Sequence, residues 1–134
     1  MGGGIMTRDD AKAFLHKAEE YLSSADDNLI LERRTVAAGD AIHAGISAKD
    51  AIMTALTATT GKHKDHTTAL PELRRALGHR DEAAGAERAL RELLAAKTDV
   101  EYGTMSVSSA KAAAMVRRAH SLVDLAANIV RRGR

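Results

Sequence analysis

The chain has 134 residues, a formal net charge of +2 and no cysteine. That length suits one domain with a true core, and the missing thiols exclude disulfides and thiolate metal sites. Aromatic residues are only 2% of the chain, namely Phe14, Tyr21 and Tyr102, so the core must be built from Ala, Leu, Ile, Val and Met, which favours closely packed helices over a β-sandwich.

Residues 1–6 read as a flexible lead-in opened by Gly2-Gly3-Gly4, residues 7–131 as one domain, and residues 132–134 as a basic end. A first helix is predicted over residues 8–31. Thr7 suits its N-cap, and Asp10 stands three residues on, as in a capping box. Phe14, Ala18, Leu22, Ala25 and Leu29 form one apolar stripe. A second helix, over residues 36–60, is rich in Ala and Gly and should stop at Gly61. Its stripe is Ala38, Ile42, Gly45, Ile46, Met53 and Leu56. Small residues let neighbouring helices approach closely, so this is the expected inner helix. Asp40, His43, Ser47 and Asp50 recur beside that stripe, as an outer face or a satisfied polar seam.

The polar run Gly61-Lys62-His63-Lys64-Asp65-His66-Thr67-Thr68 reads as a loop where recognition would sit. A short third helix follows over residues 68–77. Pro71 fits only in its first turn, and Gly78 ends it. A fourth helix is predicted over residues 81–97, with Ala86, Leu90, Leu93, Leu94 and Lys97 near one face. The break Gly103-Thr104-Met105-Ser106 precedes a fifth helix capped by Ser106 or Ser108. Its inward residues are Ala112, Met115, Val116, Ala119, Leu122, Val123, Ala126 and Ile129. No strand alternation and no long repeat is present. The fold expected is all-α: an antiparallel four-helix bundle with a short additional helix.

Charge is unevenly spread. Lys62, Lys64, Arg74, Arg75 and Arg80 outnumber the acids of their stretch, as do Lys111, Arg117, Arg118, Arg131, Arg132 and Arg134 of theirs. These blocks can present a cationic surface to phosphates. His63, His66 and either Asp65 or His79 can be combined into a zinc ligand set. A solvated loop explains them better, with Lys62, Lys64 and His66 near the start of the third helix, where phosphates bind well. His16 and His120 stand singly on their helices. No Walker loop, Gly-rich fingerprint or His-Glu-x-x-His string occurs. No apolar run approaches the roughly 20 residues that span a bilayer, and no signal segment is recognisable, so a cytoplasmic protein that meets no membrane is expected.

The order of these parts resembles the HEPN family, small all-helical domains with nucleotide-binding and ribonuclease members in prokaryotic toxin–antitoxin and defence systems. The resemblance covers residues 8–130. It rests on the first helix with its Lys-Ala-Glu-Glu-Tyr-Leu-Ser-Ser-Ala run at residues 17–25 and on the small-residue second helix. A polar segment after the fourth helix completes it, Lys97-Thr98-Asp99-Val100-Glu101-Tyr102. It implies a HEPN-like bundle, a homodimer, a nucleotide or RNA ligand, and a nucleotidyltransferase-type partner. Ribonuclease members carry an Arg-x4-6-His motif near this last segment, and a dimer brings two motifs together over the RNA backbone.

Here Lys97 stands where the Arg would be and Tyr102 where the His would be. Lysine is a point charge without the bidentate fork of arginine. Tyrosine titrates near pH ~10 in model compounds and is a poor general base at neutral pH. Binding without turnover is therefore expected. The contacts would come from Lys62, Lys64, His66, Arg74, Arg75, Lys97 and Tyr102, with no catalytic residue, cofactor or metal. Two alternatives stand beside this. One is a ribonuclease toxin using Lys97 and Tyr102, or Arg74 and His79. The other is a structural helical interaction protein.

Overall fold

The computed structural model describes residues 5–59, 68–104 and 106–132. Within them the chain is all-helical. The helices are α1 (Arg8–Ile30), α2 (Arg34–Thr57), α3 (Ala69–Leu77), α4 (Ala83–Tyr102) and α5 (Ser109–Arg131). No strand is present among the described residues, and none of their helices is long and apolar enough to cross a membrane.

The start of α1 is fixed as its sequence suggests. The Thr7 hydroxyl accepts from the Asp10 amide at 3.2 Å, and the Asp10 carboxylate accepts from the Thr7 amide at 2.8 Å. Two orphan amide donors are thereby satisfied, and an acid sits at the positive helix end. The core-facing stripe of α1 is Ala11, Leu15, Ala18, Leu22 and Ala25. Phe14 and Leu29 lie at its margins, half-buried, so the stripe is rotated slightly from the one expected. Period alone does not decide which of Phe14 and Leu15 points inward; packing against α2 and α5 does.

Helix α2 touches each of the other four helices. Its buried residues include Ala37, Ala41, Ala44, Ala48, Ala51 and Ile52 as well as most of the expected stripe. It is the inner helix, with buried residues on more than one face and a polar stripe between them. The close approach is sharpest at Gly45, where an added Cβ would stand 2.6 Å from Leu93 Cδ1 and 3.4 Å from Leu122 Cδ1. Here α4 and α5 close over the α2 backbone.

The second helix ends earlier than expected, at Thr57 rather than at Gly61. Ala58 turns into the left-handed region at φ 60° and donates to the Thr54 carbonyl at 3.0 Å. The Ala58 carbonyl then accepts from the Met6 amide at 2.9 Å, tying the chain's entry to the end of α2. Gly78 closes α3 at φ 60° and ψ −125°, a backbone state that suits glycine. Pro71 lies in the first turn of α3, where it costs no internal hydrogen bond.

Helix α4 departs most from its predicted bounds. It runs through to Tyr102, so the segment expected to follow it forms its last turns. The apolar face runs through Ala96 and continues past Lys97 at Val100, both buried. Lys97 and Glu101, one turn apart, pair beside this face at 3.0 Å, both largely shielded from solvent. The start of α5 is capped by Ser108, whose hydroxyl accepts from Lys111 N at 3.1 Å. All of its expected inward residues are buried.

Candidate functional site

The C-terminal turns of α4 lie against the N-terminal half of α2, and polar residues from α1, α2 and α4 converge there. The space above Gly39 is filled by Val100, whose Cγ1 would sit 3.9 Å from an added Cβ. One turn along α2 from Gly39, His43 projects between α1 and α4. Its ring stacks on Tyr21 with centroids 5.2 Å apart and planes 27° apart. Its Nε2 lies 3.1 Å from Glu101 Oε1. That oxygen is shielded from solvent and receives no well-directed hydrogen bond, so its contact with His43 is one of proximity. The other carboxylate oxygen, Oε2, accepts from Lys97 Nζ at 3.0 Å. The Lys97 ammonium also stands 5.8 Å from the centre of the Tyr102 ring, within cation–π range.

The hydrogen bond to Glu101 raises the Lys97 pKa above its ordinary 10.5, against a smaller opposing effect of desolvation. Lys97 is therefore a fixed cation at neutral pH and cannot serve as a base. A raised lysine pKa stabilises the folded chain fully below the unfolded value. That contribution fades as pH rises through the folded value. Glu101→Gln is accordingly expected to lower stability by less than about 1 kcal/mol at pH 7. The difference from wild type should disappear on titration above the lysine range, as read by urea melts. A gap that stays constant from pH 7 into the strongly alkaline range would deny the pairing.

Beside this cluster the α1–α2 surface forms an open depression of about 430 Å3, lined by Lys17, Glu20, Tyr21, Ser24 and Asp40. The Asp40 carboxylate accepts from the Ser24 hydroxyl at 2.6 Å and from Asn28 Nδ2 at 3.1 Å. Asn28 also donates to the Ser24 carbonyl at 3.0 Å. The polar stripe of α2 is thus a seam: Asp40 faces α1, His43 bridges to α4, and Ser47 is buried. Asp50 pairs with its neighbour Lys49 at 2.6 Å.

Of the residues singled out from sequence, Lys97 and Tyr102 are brought together. Tyr102 is 75% exposed, so its ring is available to a ligand. Arg74 is elsewhere. Its guanidinium pairs with Glu87 at 3.2 Å, and Glu87 is shared with Arg91 at 3.4 Å. Glu87 precedes Lys97 by ten residues on α4, about 15 Å along the axis. Arg75 is exposed on α3. His79 lies past the end of α3 and is exposed, so the Arg74–His79 string straddles a helix end. Lys62, Lys64 and His66 lie outside the described residues, as do His63 and Asp65. Glu101 and Tyr21, which hold the cluster together, were not among the expected contacts. The Lys97–Glu101 spacing becomes a signal once α4 is known to continue, whereas nothing local marks Tyr21.

Single polar links tie the remaining helices. His120 Nε2 on α5 meets both Asp26 carboxylate oxygens on α1, at 2.8 and 3.0 Å. Arg131 reaches Glu19 at 2.8 Å. His16 lies on the surface of α1, 3.5 Å from Glu20.

No model of a known protein family matches the chain, and no curated protein resembles it significantly.

Proposed function

We propose that this chain is a HEPN-like, non-catalytic module that binds a nucleotide or nucleic acid through phosphate and ring contacts. One observation carries the reading. Lys97 is a cation fixed by Glu101 and set near the exposed Tyr102 ring, beside a surface on which Tyr21 and His43 stack. A phosphate needs a held cation, and a base needs a ring face. The adjoining depression adds Lys17 for a second phosphate oxygen and Ser24 and Asp40 for ribose hydroxyls. The cluster also carries Glu20, Asp40 and Glu101 against Lys17 and Lys97, so it has no cationic excess. It suits selective recognition of a small ligand better than bulk attraction.

In this reading the helices form a four-helix bundle of α1, α2, α4 and α5 with α3 appended. The protein works in the cytoplasm as a homodimer, alongside a nucleotidyltransferase-type partner in a toxin–antitoxin or defence system. The exposed Ile30, Leu31 and Val36 at the α1–α2 turn and Tyr102 on α4 are candidates for contacts with a second copy.

The test is calorimetric titration of the purified protein with ATP and AMP. Lys97→Ala is expected to weaken binding about tenfold, the loss of one charge-assisted contact. Tyr21→Ala should weaken it by a smaller factor. If neither nucleotide binds at millimolar concentration, the reading fails.

A further inference from the structure

The seam between α4 and α5 gathers charge that no single stretch of sequence displays. Two depressions lie along it. The first, about 250 Å3, is floored by Gly85, Ala89 and Ala114, with Arg88 of α4 on one wall and Arg117 and Arg118 of α5 on the other. The second, about 410 Å3, has Arg80 before α4 and Arg132 after α5 among its lining residues. Later residues of α4 face earlier residues of α5, so the helices run antiparallel and the two depressions follow one line. Arg118 and Arg132 are fourteen residues apart, about 21 Å of helix.

Two glutamates also line the seam. Glu92 is engaged by Arg118 in an ion pair, which leaves Glu82 in the second depression. Among the described residues, Arg80, Arg88, Arg117 and Arg132 make no ion pair with a carboxylate. The seam therefore has more arginines than glutamates lining both depressions, with Asp124 exposed between Ser121 and Asn128 on α5. Its floor is bare: an added Cβ at Gly85 would meet nothing within 4 Å. A ligand's backbone can lie close to the helix surface there. No aromatic residue lines either depression, so bases have no stacking platform.

We propose that the α4–α5 seam is the track of a single-stranded phosphodiester chain, held through its phosphates without regard to base sequence. This rests on the reading that the protein binds nucleotides or nucleic acid, and it adds a second surface remote from the Lys97 cluster. Arginines on both sides of an open cleft between packed helices can flank one backbone. A duplex would present its phosphates on a convex surface and reach only the rim. Guanidinium forks match phosphate oxygens in pairs. With neither stacking nor a buried donor for the sugar, RNA and DNA strands should bind alike.

The experiment is fluorescence anisotropy with labelled oligouridine and oligothymidine of equal length, from 50 to 200 mM salt. Each phosphate contact on a single strand contributes a slope of about −0.7 in log K against log salt. Four arginines should give roughly −3 for both strands. The Arg88→Ala/Arg117→Ala double variant, altered at exposed positions only, should reduce that slope by about 1.4 and weaken binding at 50 mM salt at least tenfold. Its circular dichroism should be unchanged, and its ATP affinity should match wild type.

Unchanged oligonucleotide binding in the folded double variant would overturn the seam while leaving the nucleotide site standing. So would displacement of the strand by polyglutamate at equal charge concentration, which would assign the seam to an acidic polypeptide. A strong preference for oligouridine would deny recognition through phosphates alone. Loss of both oligonucleotide and ATP binding in the wild-type protein would remove the seam and the underlying reading together.

Discussion

Leu93→Ala is expected to lower the free energy of unfolding by about 2–5 kcal/mol, and Gly45→Ala to reverse its sign in that background. Leu93 is fully buried where α4 meets α2. An ideal Cβ on Gly45 would lie 2.6 Å from Leu93 Cδ1, closer than two carbons can approach. Because Leu93 is fully buried, a shift of its methyl must be taken up by the surrounding core, and Gly45→Ala overpacks at a cost of about 1–3 kcal/mol. The gain in helix propensity, about 1 kcal/mol, does not offset that. With Leu93 cut to alanine the obstructing methyl is gone. The next neighbour, Leu122 Cδ1 at 3.4 Å, needs only a small adjustment. The added methyl then fills part of the cavity and keeps its propensity gain, so Gly45→Ala should stabilise Leu93→Ala. Urea melts of the four proteins form a double-mutant cycle. Additive effects within about 0.3 kcal/mol would mean that the helices do not meet at this point.

The same contact shows how far the sequence reaches. The small residues of α2 identified it as the inner helix, because Ala and Gly at nine of its 24 positions leave little side chain there to hold neighbours away. The stripe read from it was too narrow, since period-based reading looks for one apolar face and α2 buries most of its surface. Caps made of local chemistry were readable: Thr7 with Asp10, Gly78, and Ser108 as one of two candidates beside Ser106. The end of α2 was not, because Ala58 adopts a left-handed conformation and the Met6 amide meets its carbonyl from the other end of the chain. The end of α4 was missed because a polar run looked like a loop, while Val100 continued the buried face beneath it.

The candidate site was legible only in part, for a related reason. Lys97 and Tyr102 lie close in sequence and on one helix. His43, Tyr21 and Glu101 come from three helices and meet only through packing. Arg88 was obscured differently: it lies in an acidic stretch, so a count of charge by segment hides it. Folding sets it across from Arg117.

Wild-type protein is expected to leave RNA intact, with turnover at the level of a no-protein control. In-line attack by a 2′-hydroxyl needs a base within hydrogen-bond reach and a cation over the phosphate. Lys97 supplies a cation, but Glu101 holds it at 3.0 Å and offsets its charge. Tyr102 is an exposed phenol whose neighbour among the described residues is the Lys97 ammonium, already protonated at neutral pH. Arg74 is engaged by Glu87, and His79 lies beyond the helix end. Among the described residues His43 is the one imidazole beside the Lys97–Tyr102 turns, and it favours the ribonuclease alternative more than either residue in the motif's place. It is nevertheless stacked on Tyr21 and set against Glu101, a contact suited to holding a ring in position. His43→Ala should therefore change nucleotide affinity by a few-fold and RNA cleavage not at all, and Tyr102→Phe should leave cleavage at background too. Incubation of labelled RNA with each protein, resolved on a denaturing gel, decides the matter. Cleavage by wild type that vanishes in His43→Ala, with the circular dichroism preserved, would make the α2–α4 cluster a ribonuclease site whose histidine comes from the second helix.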